Sequence, residues 1–256
     1  ISEIFIRINS KGVPLSSADF AMSKIATYGD RGRNLRKLID YFCQLAVAPH
    51  AYSDIEENDR EFADTPYLKA ISWLKNEAED IYDPEYGDII RVAGLVGFSR
   101  GKASSIVSEL SGRDPDTRKV DEERIPVAYD KLERALLQIV SNYHFDNFLM
   151  LIKSAGFITQ GMVNSKNALN FAYALYLRLR EDKTMSEGER KRIVKRWFVL
   201  SMLTGRHSGS FESTWEQDIR RIGELGVAKY FQQVEEAELS DAFWAVSLPA
   251  ALETTS

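Results

Sequence analysis

Apolar residues in this chain recur every three to four positions and almost nowhere every two. Leu35, Leu38, Ile39, Phe42 and Leu45, with Cys43 beside them, make a clean i, i+3, i+4 stripe. That spacing gathers side chains on one face of an α-helix but scatters them over both faces of a strand. The same period returns at Leu132, Leu136, Ile139 and Val140, and again at Leu169, Phe171, Ala172, Leu175 and Leu179. The fold class this predicts is all-α: an irregular multi-helix bundle of roughly ten helices of ordinary length. No internal repeat or low-complexity segment interrupts it.

Start and stop signals divide the pattern. A helix is expected over 19–27, capped by Ser16 or Ser17, with a break at 29–32. The polar stretch 49–60 reads as a long loop. Thr65-Pro66 and Asp83-Pro84 each read as a helix start, because proline suits the first helical position. Residues 89–96 are apolar nearly all round, so that helix is expected to be buried, with Gly94 and Gly97 allowing close packing. Further helices are expected over 103–110, 121–142 and 145–157, the second with Pro126 near its start. Ser165 should cap a helix over 168–180. Ser186-x-x-Glu189 is a capping-box pattern opening 190–203. Gly205 to Ser210 reads as a loop, followed by helices over 211–222, 227–234 and 241–248.

The chain has 256 residues, a 44% hydrophobic share and a net charge of -5. That length suits one large domain or two small ones. The acidic balance argues against a generally basic nucleic-acid coat but leaves room for a local basic groove. One cysteine rules out an internal disulfide framework and fits a reducing, cytoplasmic compartment. Three scattered histidines make no metal-ligand spacing. No run is long enough for a membrane span.

Four places carry candidate chemistry. The stretch IFIRINSKGVPLSSADF reads as helix, tight turn, helix, with Asn9 and Gly12 supplying the turn and Pro14 stopping the first helix. It would form a rigid corner carrying Arg7, Asn9, Lys11 and Asp19. Arg100-Gly-Lys102 lies just ahead of a helix, where free N–H groups and two cations suit a phosphate. It lacks the spacing of a P-loop and reads equally as a solvated loop. Gly205-Arg-His-Ser-Gly-Ser210 offers Arg206 and His207 to a phosphate or base, while its glycines also serve simply to end one helix and begin the next. Arg190, Lys191, Arg192, Lys195 and Arg196 share helical faces that could track a phosphate backbone; a charge run of this kind reads first as a solvated face. The paired acids, such as 121–123, read as surface.

The opening stretch resembles the R-x-N-x-x-G-x-x-L-x-x-x-D block of the domain at the start of GmrSD-type restriction enzymes, domain of unknown function 262. Three later blocks resemble the same family in order: Arg100 to Lys102 with Leu110 to Asp114; Ser154 to Phe157 with Ser165 to Tyr173; and Leu203 to Ser210 with Trp215 to Asp218. The resemblance implies a ParB/sulfiredoxin-like catalytic core joined to a helical portion. It implies nucleotide-dependent nuclease or NTPase activity in the full-length protein, directed at foreign DNA, with a nucleoside triphosphate and Mg as cofactors. The family's Asp-Gly-Gln-Gln-Arg segment is absent from this sequence, which begins without Met and inside a helical pattern. The expectation is therefore a fragment: residues 1–48 a helical remnant adjoining the missing core, and 49–256 a helical domain. The resemblance carries Arg7, Asn9, Gly12 and Asp19 into a nucleotide- or DNA-facing pocket. The alternative expectation is a non-enzymatic helical module that binds DNA or a partner protein.

Overall fold

The computed structural model describes residues 15–76, 81–114 and 117–253. Every regular element among them is helical, as the apolar period requires, and the extended pairing among them is one isolated bridge between Arg113 and Val120. The chain forms two compact units. Among the described residues, one takes those up to Asn142 apart from Ile81 and Tyr82; the other takes Ile81, Tyr82 and those from Tyr143 onward. Residues on both sides of position 48 thus belong to the first unit. No helix of the described residues is long and apolar enough to cross a membrane.

The first unit holds α1 (Ser17–Ala26), α2 (Gly29–Val47), α3 (Tyr52–Asn58), α4 (Arg60–Ala63), α5 (Pro66–Ala70), α6 (Tyr86–Ala93), α7 (Ala103–Leu110) and α8 (Arg124–Ile139). Helix α1 packs against α2, α6 and α7, and α8 covers α6 and α7 from another side. The stripe Leu35, Leu38, Ile39, Phe42 and Leu45 is fully buried, as its spacing predicts. Tyr28 stacks on Tyr129 with ring centroids 3.9 Å apart, and the Tyr129 hydroxyl donates to the Lys24 carbonyl at 2.9 Å. The expected close approach at Gly94 is real: a Cβ there would lie 2.7 Å from Ile106 Cδ1 and 2.9 Å from the Arg100 carbonyl.

Several boundaries differ from the sequence expectation: residues 29–32, read as a break, form the first turn of α2, and the helix expected over 121–142 runs from Arg124 to Ile139. Residues 49–60 are mostly helical, with a 3-10 turn at Pro49–Ala51 ahead of α3. Two apolar anchors, Ile55 and Phe62, pull this polar segment onto the unit. Asp59 fixes it by accepting from Lys37 Nζ at 2.8 Å, Tyr41 Oη at 2.7 Å and the Phe62 amide at 3.3 Å. The helix begun at Pro66 ends at Ala70 and continues as a 3-10 turn over Ser72–Asn76. The Asp83-Pro84 signal sits two residues early: α6 starts at Tyr86, where the Glu85 amide donates to Asp88 Oδ2 at 2.9 Å.

The second unit holds α9 (Asn142–Lys153), α10 (Lys166–Leu179), α11 (Glu187–Thr204), α12 (Phe211–Leu225), α13 (Val227–Glu238) and α14 (Leu248–Glu253). Helix α10 is its axis. Every residue from Ala168 to Leu177 is buried, Asn170 included. Both predicted caps are present: the Ala168 amide donates to Ser165 Oγ at 3.2 Å, and Ser186 and Glu189 close a capping box. An aromatic cluster of Tyr82, Phe145, Phe148 and Tyr173 packs α9 against α10, with ring centroids 4.7–6.4 Å apart. The Tyr82 hydroxyl donates to Asn170 Oδ1 at 2.7 Å, which satisfies the buried amide.

Candidate functional site

Arg7, Asn9 and Gly12 lie outside the described residues; Asp19 lies within them. Its carboxylate closes the capping box of α1. Oδ2 accepts from the Ser16 amide and hydroxyl, both at 2.8 Å, and Oδ1 accepts from the Tyr86 hydroxyl at 2.6 Å. Chiefly through the Tyr86 bond, Asp19 is held below the usual carboxylate range. The same bond pushes Tyr86 up to about 12. Asp19 thus has three protein donors, the arrangement of a rigid helix start.

Arg100 and Lys102 follow a π-helical turn, Gly94–Phe98, that ends with Ser99 in the left-handed region at φ 56°. The Arg100 amide donates back to the Gly94 carbonyl at 3.0 Å, and its Nε lies 3.9 Å from Glu109 Oε1. Glu109 and Asp114 also meet Arg124, at 3.5 and 3.0 Å. The loop therefore faces carboxylates of its own unit. Lys102 is exposed at the start of α7.

Arg206 and His207 belong to a closed network. Helix α11 ends with Gly205 in the left-handed region at φ 68°, which turns the next two residues inward. Asp218 of α12 is fully buried and accepts from Arg206 through both oxygens, with Nε at 3.1 Å and Nη2 closer. Tyr230 of α13 donates to its Oδ1 at 2.8 Å, and His207 Nε2 lies 3.3 Å from its Oδ2. Arg206 also meets Glu238, whose Oε2 accepts from Thr204 at 2.7 Å. Burial pushes Asp218 up, but the bonds from His207 and Arg206 outweigh it and hold its carboxyl below the usual range. Burial depresses His207 against the pull of Asp218. Phe171, Trp197 and Trp215 wall this network, and the His207 and Phe171 ring centroids lie 4.6 Å apart. Arg206 is 13% exposed and His207 not at all, and most of the Arg206 donors are taken by Asp218, Glu238 and Tyr230. The arrangement locks α11, α12 and α13 together.

The basic run on α11 divides by partner. Arg190 Nη1 donates to the carbonyls of Leu179, Arg180 and Asp182 at 3.4, 3.2 and 2.7 Å, which caps the C-terminus of α10. Lys191 pairs with Glu187 at 2.7 Å. Arg196 forms a forked pair with Glu235 at 2.5 and 2.6 Å.

Arg190 and Lys191 border a small open cleft of about 110 Å³, with Tyr143, Asn147, Tyr176 and Arg180 as its other main walls. Arg180 is the centre of this cleft. Its guanidinium carbon sits 5.0 Å from the Tyr143 ring centroid and 5.9 Å from that of Tyr176. Its Nη1 donates to the Tyr176 hydroxyl at 3.3 Å, and no described carboxylate lies within ion-pair distance of it. Tyr143 is 62% exposed. Arg180 thus keeps guanidinium N–H groups that no described carboxylate takes within ion-pair distance, while Glu187 also lines the cleft. No group of His, Cys, Asp or Glu among the described residues is arranged to hold a metal ion.

Sequence reasoning missed Tyr143, Tyr176 and Arg180. The available signal was slight: Tyr143 and Asn147 are four apart on one helix, and Arg180 ends another. Comparison with known proteins gave no matching family model, no matching curated protein and no matching solved structure.

Proposed function

We propose that this chain is the helical part of a nucleotide-dependent DNA restriction or phage-defence protein, and that it contributes a nucleotide- or DNA-facing surface to the whole. Two things support the reading. The first is the ordered set of blocks resembling that family. The two segments of the fourth block meet in space, since Arg206 from one pairs with Asp218 from the other. The second, which carries the binding role, is Arg180, stacked against two tyrosines and lacking an acid partner among the described residues. In this reading the ParB/sulfiredoxin-like core supplies the chemistry with a nucleoside triphosphate and Mg.

The second reading is a non-enzymatic helical module that binds DNA or a partner protein. It is favoured by the commitment of Arg206, His207 and Asp218 to packing rather than to an open site. Nucleotide hydrolysis and DNA binding by the full-length protein separate the two. DNA-stimulated hydrolysis supports the first reading. DNA binding without hydrolysis supports the second. Loss of neither activity in Arg7→Ala and Arg180→Ala would remove the roles given to both arginines.

A further inference from the structure

We infer that the cleft between α9, α10 and α11 is a subsite for single-stranded nucleic acid, taking a base on the Tyr143 ring and the adjoining phosphate on Arg180 and Lys191. This rests on the DNA-facing reading above and names the form of ligand it takes.

The size of the cleft sets the first limit. At about 110 Å³ it is well below the roughly 300–1,000 Å³ of a pocket that encloses a whole small ligand. It fits one phosphate or one planar group of a longer ligand that continues over the surface. Charge sets the second. Arg180, Arg190 and Lys191 face a single lining carboxylate, Glu187. Arg190 is turned to backbone carbonyls and so fixes the last turn of α10, from which Arg180 projects. Among the described residues Arg180 has one protein acceptor, the Tyr176 hydroxyl, which leaves the rest of its fork for a phosphate. The Lys191–Glu187 pair is exposed and readily exchanged for a stronger anion.

The aromatic surface decides the class. Tyr143 is more than half exposed, and Met150, two turns along the same helix, is 65% exposed. Residues seven apart share a helical face, but the polar Asp146 and Asn147 lie between these two, so the Tyr143 ring itself is the stacking surface. Every base offers a flat face to such a ring, and base–aromatic stacking is a main source of single-strand affinity. In a duplex those faces are already stacked on neighbours and are closed to Tyr143. An acidic peptide would meet the cations but would leave the ring uncovered.

The test is fluorescence anisotropy with the intact protein, using a labelled oligodeoxythymidylate and a hairpin duplex of equal charge. Binding is titrated against salt. The expected result is tighter binding of the single strand. Tyr143→Ala should weaken it roughly tenfold and Tyr143→Phe should preserve it, because the ring is what stacks. Arg180→Ala should weaken binding and flatten the salt slope by about 0.7, one phosphate contact, while Arg180→Lys restores part of that slope. Both positions lie at the surface, and unchanged thermal melting of each variant checks the fold. Single-strand binding unaffected by Tyr143→Ala and Arg180→Ala overturns the subsite but leaves the DNA-facing reading standing. Preference for the duplex, or equal competition by polyglutamate, also overturns the subsite. No binding of either DNA overturns both.

Discussion

Replacing Asp218 by Asn tests whether the Arg206 network is what holds the second unit together. The substitution keeps volume and removes charge. In the native fold four donors converge on the carboxylate: Arg206 twice, the Tyr230 hydroxyl and His207. An asparagine puts an NH2 where one oxygen was. In either flip, one Arg206 N–H then faces another donor, in a place with no exposure to water. Breaking a buried pair from one side costs about 3–5 kcal/mol. Glu238→Gln perturbs the same arginine where the side chain is 23% exposed and water can replace it, so the loss should be about 1–2 kcal/mol. A difference of about 2 kcal/mol corresponds to a gap of roughly 4–8 °C between the two variants in thermal melting. Intrinsic fluorescence reports on the right place, since Trp197 and Trp215 are buried against this network. pH adds a signature. Asp218 titrates below its ordinary value, so its stabilisation is present above about 3.9 and is lost as pH falls through its lower folded value. His207 is also depressed, so the unfolded chain takes up a proton first and stability falls as pH drops below about 6.5. Asp218→Asn should shrink the lower limb, to which Asp19 and Asp59 also contribute, and keep the upper one. Equal melting of the two variants, or an unchanged acid limb, would refute the network as the organising contact.

Three further outcomes follow from single contacts. Gly112 sits at φ 69°, and a Cβ there would lie 2.4 Å from the Asp121 carbonyl oxygen; Gly112→Ala should destabilise by about 1–3 kcal/mol in chemical denaturation, and an unchanged midpoint would count against the tight turn. Ser201 is fully buried with no partner for its hydroxyl among the described residues, so Ser201→Ala should be neutral or raise stability by up to about 1 kcal/mol; a clear loss in melting would show that the hydroxyl is hydrogen-bonded. Glu187→Gln frees Lys191 and removes the acid of the Arg180 cleft, so it should tighten oligodeoxythymidylate binding in the anisotropy assay; weaker binding would mean that the anion does not reach this cleft.

What the sequence made legible was local. The Ser165 cap and the Ser186–Glu189 box follow from residues three apart, and each is where the pattern places it. The stripe from Leu35 to Leu45 needs only its own helix to be read. Residues 49–60 were opaque for the opposite reason. Their helices are fixed by two sparse apolar anchors and by Asp59 binding Lys37, which is 22 residues away in the chain. Likewise Arg206 among glycines looks like an open polar loop until Asp218, twelve residues on, folds back onto it. The candidate site was hidden by the same distance effect. Tyr143 and Arg180 come from different helices, and neither segment has a composition that marks it. Periodicity reports which face of a helix is buried, not which cation lacks an acid.

In the proposed reading, that last property bears on where a polyanion would meet a chain of net charge -5, although Arg192 and Lys195 also have no ion pair among the described residues and of the three only Arg180 is held by two rings. Most cations whose contacts define this fold bring their own acceptor. Arg31 meets Asp130 and Glu133, Lys37 meets Asp59, and Arg124 meets Glu109 and Asp114. Arg196 is forked onto Glu235, and Arg206 lies between Asp218 and Glu238. A phosphate approaching any of these must displace a carboxylate that is already well placed and leave that charge unpaired. At Arg180 no described carboxylate lies within ion-pair distance, and the cation is held by ring faces and by one hydroxyl, with Glu187 further off in the same cleft. The difference between Arg206 and Arg180 is therefore one of remaining capacity rather than of charge. The first has its electrostatic partners inside the fold, while the second stands at the surface with most of its hydrogen-bond fork open.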